Sequence, residues 1–104
     1  MKDVSIIIVS YNTKDILQKC IQSIYDSVIS AAFEIIVVDN ASLDGSSEMI
    51  KNEFKEIILI ENKENIGFAA ANNMGIKKSE GSFLLFLNSD TNVYRGSVDV
   101  VLTF

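Results

Sequence analysis

The sequence predicts an α/β protein: a doubly wound, mostly parallel open sheet with helices on both faces, giving three layers. Three observations in its 104 residues predict this. Short apolar runs, rich in Val, Ile and Leu, recur four times. Each is followed by a longer segment whose apolar residues fall at helical spacing. The runs are continuous rather than alternating, which suits strands of a parallel sheet buried on both sides.

The first run, residues 4–9, reads V-S-I-I-I-V, with one small polar interruption. After it, Ile16, Leu17, Cys20, Ile21, Ile24, Tyr25 and Val28 fall on one helical face. Cys20 lies on that apolar stripe and reads as a core residue. Asn12 or Thr13 can cap the helix, and Asp15 is well placed in its first turn. The second run is 35–38, and a helix is expected after residues 42–47 with Met49, Ile50 and Phe54 inward. The third run, 57–60, precedes a helix over about 67–78, whose Ala69, Ala70 and Ala71 permit close packing. Gly75 inside that helix costs about 1 kcal/mol relative to alanine, which points to close backbone approach. The fourth run is 83–87. A last helical pattern begins near Arg95, with Val98, Val101 and Leu102, and reaches Phe104 with no cap or stop signal.

Composition narrows the chemistry. No repeat or linker divides the chain, so residues 1–104 read as one domain, and this length buries about 65% of its surface. There is no histidine and only one cysteine. Together these exclude Ser-His-Asp and Cys-His dyads within the chain, imidazole metal sites, an internal disulfide and multi-cysteine clusters. Acid, base or metal-ligand roles fall mainly to the fourteen carboxylates. A net charge of −5, with Lys and Arg scattered singly apart from Lys77-Lys78, argues against a nucleic-acid partner. The longest apolar run is far short of a membrane span, and no signal-peptide pattern follows Met1-Lys2-Asp3. A cytoplasmic location is expected.

Ligands of doubly wound sheets bind at the carboxyl ends of the strands, near the point where strand order reverses. The four runs end in Ser10-Tyr11-Asn12, Asp39-Asn40, Glu61-Asn62 and Asn88-Ser89-Asp90, so amides, hydroxyls and carboxylates gather at that edge. Asp39 is expected to project into the crevice, where a carboxylate can accept from a ribose hydroxyl or a base N–H. Asn40, Ser42 and Asp44 read equally well as turn and cap residues. Tyr11 can stack on a base or simply cover the strand end.

Asn88-Ser89-Asp90-Thr91 reads either as a solvated turn or as part of a phosphate site. Like charges about 4 Å apart repel by roughly 4 kcal/mol at an effective dielectric near 20. An aspartate facing a diphosphate therefore implies a divalent cation between them, and oxygen-only ligands favour Mg²⁺ or Mn²⁺. Asn65-Ile66-Gly67-Phe68, with Asn72-Asn73-Met74-Gly75, matches neither a G-x-G-x-x-G nor a Walker A loop. Asn65 can be an N-cap and Gly67 a tight entry turn.

At these residues the sequence resembles the amino-terminal part of a family 2 glycosyltransferase, in its bacterial rhamnosyltransferase-like branch. The matching blocks are VSIIIVSYN (4–12), EIIVVDNASLDGS (34–46), NIGFAAANNMGI (65–76) and FLLFLNSDTNV (83–93). Each alone is weak; their order and spacing together are specific. The resemblance implies a Rossmann-like, A-type nucleotide-diphospho-sugar transferase half. It implies that Ser10, Tyr11 and Asn12 line the nucleotide pocket and that Asp39 meets the base or ribose. Asn73 and Gly75, with the Gly67 turn, would border the sugar-diphosphate beside Asn88, and Asp90 would be the metal ligand of a D-x-D-like motif. Asn88 stands where many relatives have the first Asp of that motif, which weakens the metal inference. Ser89 replaces a proline often seen there.

Family members are considerably longer, and their later region supplies the acceptor site and usually the general base. The expectation is therefore a donor-binding part truncated at its C-terminal end, with no catalytic base before Phe104. An inverting transfer from a nucleoside-diphosphate sugar to a saccharide or lipid-linked acceptor is implied for the full-length enzyme, located in the cytoplasm or peripherally at the inner face of the membrane. Truncation leads us to expect exposed apolar surface and self-association. Two rivals remain. One is a non-catalytic nucleotide-binding or interaction module of the same fold. The other, a receiver-like regulatory domain, needs an acidic pair after the first strand, where Tyr11-Asn12 stand, and a lysine after the last.

Overall fold

The computed structural model describes residues 3–27 and 32–88. Seven elements alternate along them: β1 (Val4–Ser10), α1 (Lys14–Ser27), β2 (Phe33–Asp39), α2 (Ser46–Glu53), β3 (Ile58–Glu61), α3 (Phe68–Lys78) and β4 (Phe83–Asn88). The expected Val28, Ser89, Asp90 and Thr91, and the helical pattern from Arg95 through Val98, Val101 and Leu102, lie outside the described residues.

The strands form one parallel sheet in the order β3-β2-β1-β4. β1 is central: Ile6 lies opposite Ile35 and Leu85, and Ile7 opposite Ile36 and Phe86. This explains why β1 reads as a continuous apolar run. It has a strand on each side and a helical layer on each face. Its polar interruption is satisfied at depth. Ser5 donates to Glu34 Oε2 at 2.6 Å and accepts from the Gly81 N–H at 2.8 Å, while the Glu80 N–H donates to the same Glu34 oxygen at 2.6 Å. These bonds pin the turn before β4 to the start of β1.

On one face Val4, Ile6, Ile8, Ile35 and Val37 meet Leu17, Cys20, Ile21 and Ile24 of α1 and Met49 and Ile50 of α2. Phe54 follows α2 rather than ending it, yet packs inward and stacks on Tyr25 at 6.1 Å. On the other face α3 lies over β1 and β2. A Cβ added at Gly75 would stand 2.6 Å from Ile7 Cγ2, so the helix approaches the sheet more closely than any side chain would allow. That is the reason for the mid-helix glycine.

Candidate active site

The strand order reverses between β1 and β4, since β2 and β3 lie on one side of β1 and β4 on the other. Ligands of such sheets bind outside the carboxyl ends near that point. Register brings the predicted polar residues into a row there: Ser10 pairs with Asp39, Asp39 with Glu61, and Val9 with Asn88. A hollow of about 540 Å³ between Tyr25, Phe33 and Ile58 lies at other residues, away from this row. The topology favours the carboxyl edge.

Asp39 departs from expectation in its orientation. It is only 3% exposed. Rather than projecting into the crevice, its carboxylate is turned into its own loop. Oδ1 accepts from the Ser42 hydroxyl at 2.5 Å, and Oδ2 accepts from the Ser42 N–H and the Ser47 hydroxyl, both at 3.1 Å. The physical reason is the sharp turn into α2, whose Ala41 sits at φ 63 and whose N–H and hydroxyl donors need an acceptor.

Tyr11 stands at the end of β1, 49% exposed. Asn12 adopts the left-handed region at φ 52. Its N–H donates to Ser42 Oγ at 2.9 Å, and its Oδ1 accepts from the Leu43 N–H at 2.8 Å. Thr13, not Asn12, holds the N-cap position of α1, its carbonyl accepting from the Leu17 N–H at 2.7 Å. Ser10 is buried, with its hydroxyl 3.0 Å from that of Thr13.

Asp44 serves two helix starts. Its Oδ2 accepts from the Lys14 N–H at 2.9 Å, and its Oδ1 from the N–H and hydroxyl of Ser46. Partial desolvation pushes its carboxyl pKa up. The Ser46 hydroxyl bond and the backbone bonds from Lys14 and Ser46 outweigh that, leaving it below the usual value. Asn40, which sequence leaves open, is a clamp between loops. Its side-chain amide donates to the Gly67 carbonyl at 3.2 Å, and its Oδ1 accepts from the Asn62 amide at 2.9 Å. Ser42 was left open in the same way, Asn62 was expected only as part of the polar edge, and Ser47 was not expected at all. Only the clustering of Asn and Ser at strand ends hints at them.

Gly67 is the N-cap of α3 at φ 86, a conformation that L side chains rarely adopt. Asn65 supports it, accepting from the Gly67 N–H at 2.9 Å. Asn73 is exposed and, with Phe68, Ala69, Asn72, Ile76 and Phe86, lines a shallow cavity of about 420 Å³. Asn88 ends β4, and Asp90 lies outside the described residues. Among the described residues no group of three His, Cys, Asp or Glu could hold a metal ion. They do not make a cation site by themselves. No described helix is long and apolar enough to cross a membrane.

A family model for glycosyl transferase family 2 matches residues 5–104. The chain belongs to that family. Among curated relatives of this family 2 chain, "Glycosyltransferase GlyA" of Streptococcus pneumoniae is 34% identical, the match covering 94% of this chain and 14% of the relative. "Glycosyltransferase AglE" of Haloferax volcanii is 37% identical over 88% of this chain and 32% of the relative. The chain thus spans well under half the length of these relatives. Among solved structures, S. aureus TarS 1-349 in complex with UDP-GlcNAc superposes with a TM-score of 0.86 at 23% identity, covering 97% of this chain and 30% of that one. A mannosyltransferase from Pyrobaculum calidifontis in complex with GDP-Man and Mn²⁺ gives a TM-score of 0.77 at 22% identity, covering 98% and 32%. Both bear out the α/β fold.

Proposed function

We propose that this chain is the donor-binding part of an inverting glycosyltransferase, which moves a sugar from a nucleoside-diphosphate sugar to an acceptor hydroxyl. The observation that carries the reading is the carboxyl edge at the switch point, where Tyr11 stands half exposed on a loop fastened to the loop of Asp39. In this reading the Tyr11 ring stacks on the base, and Asp39 accepts from base or ribose. An ionised carboxylate offers about four acceptor positions. Asp39 uses three within its loop, which leaves one acceptor position for a further donor. Gly67, Asn73 and Asn88 border the sugar-diphosphate.

Asp90 is assigned to Mg²⁺ or Mn²⁺, which when bound offsets charge on the departing nucleoside diphosphate. The likeness to structures determined with UDP-GlcNAc, and with GDP-Man and Mn²⁺, supports a nucleotide-sugar donor and a divalent cation as the ligand classes. Removal of the acceptor's proton falls to a carboxylate outside these residues. Turnover by the 104-residue chain is accordingly weak or absent. We place the full-length enzyme in the cytoplasm or at the inner face of the membrane, acting on a saccharide or lipid-linked acceptor. The open apolar pair Leu84 and Phe86, side by side on one face of β4, supports self-association of the isolated chain.

Thermal unfolding with UDP, dTDP and GDP, each with and without Mn²⁺, tests the reading. Ligand at 100 times its Kd stabilises by about 2.7 kcal/mol, a shift on the order of 10 °C for a domain this size. Asp90→Ala is expected to abolish the Mn²⁺-dependent part alone. No shift with any nucleotide in a folded sample overturns donor binding.

A further inference from the structure

The β1–α1 and β2–α2 loops are hydrogen-bonded to each other on both sides of Tyr11. Before it, the Ser10 carbonyl accepts from the Asn40 N–H at 2.9 Å. After it come the Asn12 N–H to Ser42 Oγ, the Leu43 N–H to Asn12 Oδ1, and the Lys14 N–H to Asp44 Oδ2, all within 2.9 Å. Ser42 is the hub, because the hydroxyl that accepts from Asn12 also donates to Asp39 Oδ1. Both loops carry a non-glycine residue in the left-handed region, Asn12 at φ 52 and Ala41 at φ 63. Such residues persist where the surroundings over-determine them, and they cluster at ligand sites.

We infer that Ser42 and Asn12 are positioning residues: together they tie the Asp39 carboxylate to the backbone that carries Tyr11, setting aromatic ring and carboxylate at one spacing before a nucleotide arrives. The inference rests on the donor-site reading above. A loop ordered beforehand does not lose its freedom on binding, so the latch raises affinity without touching the ligand. Asn12 thereby changes role. Its side-chain oxygen faces the neighbouring loop, where it accepts from Leu43.

The test is titration of the 104-residue chain with UDP, dTDP and GDP, with the melting temperature recorded for each variant. Ser42→Ala is expected to weaken binding about tenfold, the scale of one lost hydrogen bond. Ser42→Thr, which keeps the hydroxyl, is expected to restore it. Asn12→Gly keeps the left-handed backbone accessible and removes only the bond from Leu43. It is expected to weaken binding without disturbing the contact between Asp39 and Ser42. Wild-type affinity in folded Ser42→Ala overturns the inference and leaves the donor-site reading standing. Should Ser42→Ala fail to fold, wild-type affinity in Asn12→Gly overturns it instead. A folded wild-type chain that binds none of the three nucleotides overturns the reading, and the inference with it.

Discussion

The two faces of the sheet are covered in different ways. Under α1 and α2 the sheet meets large side chains, Leu17, Ile21, Ile24, Met49 and Ile50, and packs by filling volume. Under α3 it meets Ala71 and Gly75, and packs by letting a helix backbone settle onto Ile7. The reach of the two layers differs too. Leu85 and Leu87 of β4 pack against the first core, whereas Leu84 and Phe86, on the opposite face of the same strand, remain 41% and 45% exposed. Close approach secures α3 over β1 and β2, whereas toward β4 it leaves the shallow cavity that Phe68, Ile76 and Phe86 line. Alternate residues of one strand therefore meet opposite fates.

Substitutions that change volume or approach should separate these packing modes most strongly. Ile24→Ala, beneath the volume-filled layer, is expected to cost about 2–5 kcal/mol in chemical denaturation. Gly75→Ala, in the close-approach layer, is expected to cost about 1–3 kcal/mol because its Cβ meets Ile7. Combining it with Ile7→Ala, which removes the Cγ2 that the new Cβ meets, should return part of that loss as a coupling energy. A neutral Gly75→Ala would show that α3 is not seated by approach.

Within β4 the contrast sharpens further. Leu85→Ala is expected to cost about 2 kcal/mol, while Phe86→Ala changes stability by about 0.5 kcal/mol or less. Equal losses at both positions would mean that the second face is covered in solution.

The smallest effect is that of pH. Asp44 is the one described carboxylate with a resolved downward shift, and its folded pKa lies below the ordinary value. Its hydrogen bonds therefore add stability above the unfolded pKa, and that contribution is lost as pH falls through the folded one. Because the group is exposed, the effect is small and screened by solvent. In stability measured against pH, wild type and Asp44→Asn should differ above that acidic window and converge as pH falls through it.

The alternation of strands and helices was legible because periodicity is a local property. The apolar run at residues 4–9, and Leu17, Ile21 and Ile24 at helical spacing, read correctly without any knowledge of partners. The candidate edge was legible for a related reason, since residues ending parallel strands share one end of the sheet. The direction of Asp39 was not, because a strand-end carboxylate can turn outward to a ligand or inward to its own loop. Its serine partners lie three and eight residues on, and only the turn geometry selects them. Asn40 and Asn62 were legible as members of that edge, but their bond to each other, across 22 residues, was not.

The sequence by itself determined the order of elements, the parallel sheet and the edge where its polar residues gather. Each follows from spacing and residue type over a few neighbouring positions. Only the tertiary structure decided what those residues hold. Asn12 and Ser42 meet across 30 residues of chain because β1 and β2 lie side by side, and hydrogen-bond partners are chosen by proximity in space.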